Sequence, residues 1–184
     1  MKKIFGALIF ALMTFPAFAG TNTLGVGVGT EKVNDKINVD LYQIQGYHRF
    51  DNGITLGASV QAGYPDTSVF PSEKRYEGIL GYTTRINKYS PYIFSSIGIR
   101  TRQGLDDITF YTIKVGSKVS INSKLYLDFA YRLRDTNDMD WKTDTYFTGI
   151  GYNITPTETV QFIYGKTEGS FDGDQYGIAL IKRF

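Results

Sequence analysis

Residues 54–64 read Ile54-Thr55-Leu56-Gly57-Ala58-Ser59-Val60-Gln61-Ala62-Gly63-Tyr64, and the alternation within them decides the fold. Ile54, Leu56, Ala58, Val60, Ala62 and Tyr64 fall on one side of an extended chain. Thr55, Gly57, Ser59, Gln61 and Gly63 fall on the other, which is the two-residue period of a one-sided β-strand. The ladder recurs on either side. Leu24, Val26 and Val28 alternate with Gly25, Gly27 and Gly29; Tyr76, Leu80, Tyr82 and Ile86 oppose Glu77, Gly81, Thr83 and Arg85; Leu125, Leu127, Phe129, Tyr131 and Leu133 oppose Asp128, Arg132 and Arg134. Helical periodicity is nowhere sustained, so the chain is all-β.

Ten strands are expected, near 22–30, 37–50, 54–64, 75–86, 92–101, 109–120, 124–134, 144–153, 159–167 and 175–184. Tight connections fall at Asp51-Asn52-Gly53, Asn87 to Pro91, Asn122-Ser123 and Asn153 to Thr157, where Asn, Asp and Gly suit turns. Longer polar connections alternate with them at 31–36, 65–74, 102–108, 135–143 and 168–174. One stretch breaks the pattern: the apolar side changes phase between Leu41 and Tyr42, which predicts a bulge there, or an upper part standing clear of the membrane.

Composition narrows the class further. The 184 residues include 20 Gly, 14 Tyr, 13 Phe and no Cys, which excludes a disulfide scaffold, a cysteine-held metal and a thiol nucleophile. Lys2, Lys3, the apolar run Ile4 to Leu12 and Ala17-Phe18-Ala19 have the layout of a secretory signal peptide, residues 1–19, cleaved after Ala19 for export by the Sec route. The apolar run is shorter than the roughly 20 residues a membrane-spanning helix requires. The domain is then residues 20–184, and without the two lysines 18 basic side chains balance 18 acidic ones. A neutral chain offers no steering toward nucleic acid.

Short turns at one end, long loops at the other and an even strand count that returns both termini to the turn end together describe a closed antiparallel up-and-down transmembrane barrel. In that setting the apolar ladders face lipid, and Phe50, Tyr64, Tyr76, Tyr92, Tyr111, Tyr152 and Phe184 at strand ends form interfacial belts. A soluble lipocalin-like binding protein is the alternative, with the same ladders turned inward.

The last strand, with Tyr176, Gly177, Ile178, Leu180 and terminal Phe184, resembles the insertion signal that closes Gram-negative outer-membrane barrels. Together with the leader and the ladders, it makes the chain similar to the OmpA-like and OmpX-like transmembrane barrels. That resemblance implies insertion by the barrel-assembly machinery, periplasmic termini and an outer membrane of lipid and lipopolysaccharide as surroundings. Eight strands are typical of those families and stand as the alternative to ten. Lys182 occupies a place usually apolar, so it is expected to snorkel to the interface.

Opposite the apolar ladder fall Arg49, Arg75, Arg85, Arg100, Lys114, Lys118, Arg132, Arg134 and Arg183, against Glu77 and Asp128, with the face of Asp40 left open. The other acids are expected in the long loops: Glu31, Asp35, Asp66, Glu73, Asp106, Asp107, Asp135, Asp138, Asp140, Asp144, Glu168, Asp172 and Asp174. Pairing with neighbouring acids and filling a narrow barrel would account for some of these cations. Unpaired charge in a dry interior costs several kcal/mol per ion, on the order of 5, so the excess calls for water or anions. This predicts a narrow, anion-preferring pore, since rings of Arg and Lys select anions.

A second reading takes the loop Asp138-Met139-Asp140-Trp141 as a surface adhesion anchor, against the plainer one in which Trp141 packs on the rim or in lipopolysaccharide. Asp135, Asp138 and Asp140 lack the full spacing of a calcium loop, so no metal or cofactor is assigned. Nor is catalysis: the single histidine, His48, lies beside the 51–53 turn with no second histidine, and reads as a girdle residue.

Overall fold

The structure, a computed structural model, describes residues 19–67, 71–137 and 141–184. Ten strands run β1 (Gly20–Val33), β2 (Ile37–Phe50), β3 (Ile54–Pro65), β4 (Glu73–Thr83), β5 (Tyr89–Arg102), β6 (Leu105–Ser120), β7 (Leu125–Thr136), β8 (Lys142–Asn153), β9 (Glu158–Gly169) and β10 (Gly173–Arg183). Each pairs antiparallel with its neighbours in sequence, and β1 with β10, so the sheet closes into a barrel with no free edge. β1 begins and β10 ends at the same end of the barrel, here called the terminal end.

The strands climb further than expected and absorb most of the predicted loops. Away from the termini the connections shrink to 34–36, 66–72, 103–104, 137–141 and 170–172, and at the terminal end they are 51–53, 84–88, 121–124 and 154–157. The expected contrast between short turns and long loops is therefore absent, because ladder hydrogen bonds extend into the polar segments. Residues that tolerate positive φ close two terminal-end turns: Gly53 at φ 89° and Asn87 at φ 55°.

The apolar ladders face outward. Val28, Leu56, Leu80, Ile97, Ile113, Phe129, Ile150, Phe162 and Leu180 are exposed on the barrel's outside, while Thr55, Ser59, Ser96, Thr112, Thr145 and Gln161 are buried within. A lipocalin-like barrel, greasy within, is the reverse arrangement. Phe50, Tyr64, Tyr76, Tyr111, Tyr152 and Phe184 alternate with the inward side chains and point outward as expected. Tyr92 does not: it is 8% exposed inside the lumen, because it shares the even-numbered face of β5 with Phe94 and Ser96.

No bulge interrupts β2, whose register with β1 and β3 is continuous from Val39 to Arg49. Instead the side chains exchange roles along the axis. Val39 and Leu41 point inward while Asn38 and Asp40 point out; beyond Leu41 the outward residues are Tyr42 and Ile44 and the inward ones Gln43 and Gln45. β6 repeats this, with Ile108 and Phe110 buried inside, then Tyr111, Ile113 and Val115 exposed outside. The far end is thus polar outside and partly apolar inside, and the rest is the opposite. The register irregularity lies elsewhere, between Arg100 and Arg102 on β5.

Candidate functional site

The lumen is built from the side chains opposite the apolar ladders, and it divides into two zones. The zone away from the termini is a packed layer. Glu73, expected in a loop, lies in the lumen and forms ion pairs with both Arg75 and Arg100, with Arg100 Nε donating to Glu73 Oε2 at 2.6 Å. Arg75 Nη1 donates to Gln61 Oε1 at 3.2 Å. Arg134 Nη2 donates to Glu77 Oε1 at 3.3 Å and its guanidinium lies 5.0 Å from the Phe110 ring centre. Ser96 Oγ donates to the other Glu77 oxygen at 3.0 Å. Glu31, Leu41, Ile108, Phe110, Thr143, Thr145 and Thr167 are buried around them. Glu31 was also expected in a loop; ladder pairing carries it up β1 instead.

Beneath this layer opens a cavity of about 1050 Å³ that reaches the terminal end. Lys114, Lys118, Asp128 and Arg132 line its middle, and Arg49, Arg85 and Arg183 its mouth. Asp128 accepts the Tyr92 hydroxyl at 2.9 Å and the Gln161 amide at 3.1 Å. Lys118 Nζ lies 5.1 Å from the Tyr126 ring centre, Lys114 Nζ 4.9 Å from that of Phe147, and the Arg132 guanidinium 4.8 Å from the same ring. Cation–π contacts of this kind hold a cation without neutralising it. Arg85 is exposed at the mouth, with Nε donating to the Asn87 carbonyl at 3.4 Å. The nine cations expected in the lumen thus face Glu31, Glu73, Glu77 and Asp128 among the described residues, so the wall is basic although less so than expected.

Sequence reasoning missed the aromatic lining. Tyr47, Tyr92, Phe94, Phe110, Tyr126 and Phe147 all point inward, and each ring lies against a glycine of an adjacent strand: Gly57, Gly116, Gly81, Gly98, Gly151 and Gly165 in turn. The signal was present in the inward glycines, which leave room for a ring to lie against the wall.

Of the remaining sites, Tyr176, Ile178, Leu180 and Phe184 point outward on and just past β10, Gly177 points inward, and Lys182 ion-pairs with Glu158 at 3.3 Å beside the Phe184 ring. Asp40 points outward. Asp144, Glu168 and Asp174, expected in loops, are in strands; Asp144 and Asp174 accept hydrogen bonds from Tyr131 and Tyr164 at 2.5 and 2.6 Å. Asp138, Met139 and Asp140 lie outside the described residues. Trp141 stacks on Phe171 at 5.9 Å, with the Arg100 guanidinium 5.3 Å from its ring. His48 faces outward at the terminal end, Nδ1 2.8 Å from Asn22 Oδ1 and its ring edge-on to Phe50.

A closed antiparallel barrel, apolar outside, polar and charged inside, with tyrosines near both ends of the outer wall, has the fold of bacterial outer-membrane β-barrel proteins. Solved structures of that class share it. The NanC porin superposes with a TM-score of 0.55 at 12% identity over 85% of this chain and 98% of its own. The KdgM porin gives 0.50 at 15% over 87% and 99%. The β domain of the Bordetella autotransporter Brka gives 0.56 at 8% over 90% and 100%. At such identities the likeness is one of fold. No family model matches the chain, and no curated protein sequence matches it.

Proposed function

We propose that this protein is a non-enzymatic integral protein of the Gram-negative outer membrane that acts as a narrow, anion-preferring pore. In this reading it is exported with its leader, inserted by the barrel-assembly machinery, and has its terminal end in the periplasm. The observation that carries the reading is the cavity wall around Lys114 and Lys118: among the described residues neither ammonium has a carboxylate within ion-pairing distance, and both line the cavity. Uncompensated cations attract anions and exclude cations from a narrow passage. The Glu73 layer shuts the passage above the cavity, so conduction requires that layer to part, and brief openings are expected.

Planar bilayers test this. With a KCl gradient, openings should be sparse and the reversal potential should lie on the chloride side. Changing Lys114 and Lys118 together to Glu should move it toward potassium. Bilayers that stay silent at high protein load would remove the pore.

A further inference from the structure

Two pairs of like charges face each other across the lumen sheet, and they are treated differently. Arg75 and Arg100 are register partners across β4 and β5, and Glu73 sits between them, ion-paired to both. Lys114 and Arg132 are register partners across β6 and β7, both pointing inward. Directly opposed like charges destabilise an antiparallel pair. The upper pair carries its own counterion. The lower pair has none among the described residues.

Its neighbours are already committed. Phe147 underlies both cations, at 4.9 and 4.8 Å, and so holds them side by side without cancelling either. Glu77 is engaged by Arg134 and Ser96, and Asp128 by Tyr92 and Gln161 while standing opposite Lys118 in register. Arg132 Nη2 donates to Thr145 Oγ1 at 3.0 Å, yet its Nε is shut away from solvent with no partner. Among the described residues Lys114 has no hydrogen-bond or ion-pair partner, only the ring contacts with Tyr92 and Phe147. Both side chains line the cavity.

We infer that Lys114 and Arg132, seated on Phe147, form a binding site for an oxyanion, a carboxylate or phosphate group, which takes the place that Glu73 holds between the upper arginines. The inference rests on the reading of the lumen as anion-preferring and names where in it the anion sits. A carboxylate or phosphate fits because its oxygens accept charge-assisted hydrogen bonds from an ammonium and a guanidinium at once. Neutral or cationic solutes gain nothing there.

The refolded barrel in zwitterionic detergent at low chloride, titrated calorimetrically with sodium phosphate and separately with sodium acetate, tests the site. One-to-one binding is expected. Lys114→Met or Arg132→Met should weaken it at least tenfold, Lys114→Arg should restore it, and Lys36→Gln, in an exposed connection at the far end, should leave it unchanged. The folded, heat-modifiable form on a gel shows that each variant has assembled. A second readout uses the repulsion itself: without oxyanion Lys114→Met should unfold at higher urea than the parent, and added phosphate should raise the parent's midpoint but not the variant's. Binding of phosphate alone assigns phosphate-bearing solutes, and binding of both probes assigns carboxylates as well. No binding of either probe, or binding indifferent to Lys114 and Arg132, overturns the site. A barrel that binds phosphate in this way yet never conducts refutes the pore and leaves the site. A conducting barrel whose phosphate binding ignores these residues does the reverse.

Discussion

Glycines of this barrel include two contrasting settings. A methyl group added at Gly81 or Gly116 would run into the ring of Phe94 or Tyr92, whereas one added at Gly78 would meet nothing within 4 Å. The first kind gives an aromatic its place against the wall; the second faces outward. Gly81→Val should therefore push Phe94 out of its seat and cost about 1–3 kcal/mol, the usual penalty of overpacking, while Gly78→Ala should be neutral. Urea unfolding of the refolded variants measures both. Equal midpoints would show that the rings do not depend on the space beneath them. Alternation in the sequence places each glycine on its face, but which ring lies over it depends on register across strands, and that is fixed only when the barrel closes.

At the level of the strand, β10 carries two separable properties. Its ladder with β1 and β9 closes the barrel through backbone bonds, while the Phe184 ring, just beyond it, is on a residue 66% exposed and has Lys182 Nζ 5.7 Å from its centre. Phe184→Ala should leave the urea midpoint of detergent-folded protein unchanged and reduce assembly in cells, seen as more of the unfolded band in the periplasm. A lowered midpoint with normal assembly would assign the residue to packing. Lys182, at a place usually apolar in the barrels the last strand resembles, pairs with Glu158 on the outside of the wall. The ten strands were legible in the sequence because a period of two is local. The upper strand ends were not: polar residues such as Glu31, Glu73 and Asp144 resemble loop residues, and only pairing with a neighbouring strand shows that they continue the wall.

Across the whole barrel, the change of apolar side at Leu41/Tyr42 and at Phe110/Tyr111 records a change of surroundings and not of structure. Where the outside is lipid the wall is apolar outward; where it is water the same strands turn Leu41, Ile108 and Phe110 inward and pack a core. The layer at Glu73 belongs to that core, so stability and closure are the same set of contacts. Glu73→Gln removes the charge shared by Arg75 and Arg100 and should cost about 3–5 kcal/mol, as when one partner of a buried ion pair is lost. In planar bilayers the same variant should open more often than the parent. Unchanged gating with lowered stability would separate the core from the gate. The basic lumen was legible from residue types alone, whereas its division into a packed layer and an open cavity was not, because two of the layer's acids, Glu31 and Glu73, read as loop residues in the sequence.

The end away from the termini therefore stands out of the bilayer as a short tube of hydrogen-bonded wall filled with its own side chains, with connections of two to seven residues along its lip. In the proposed orientation, a partner arriving from that side would meet a cylinder carrying Lys32, Asp40, Lys142, Asp144 and Glu168 on its flank, and the spacing of those charges would shape its recognition.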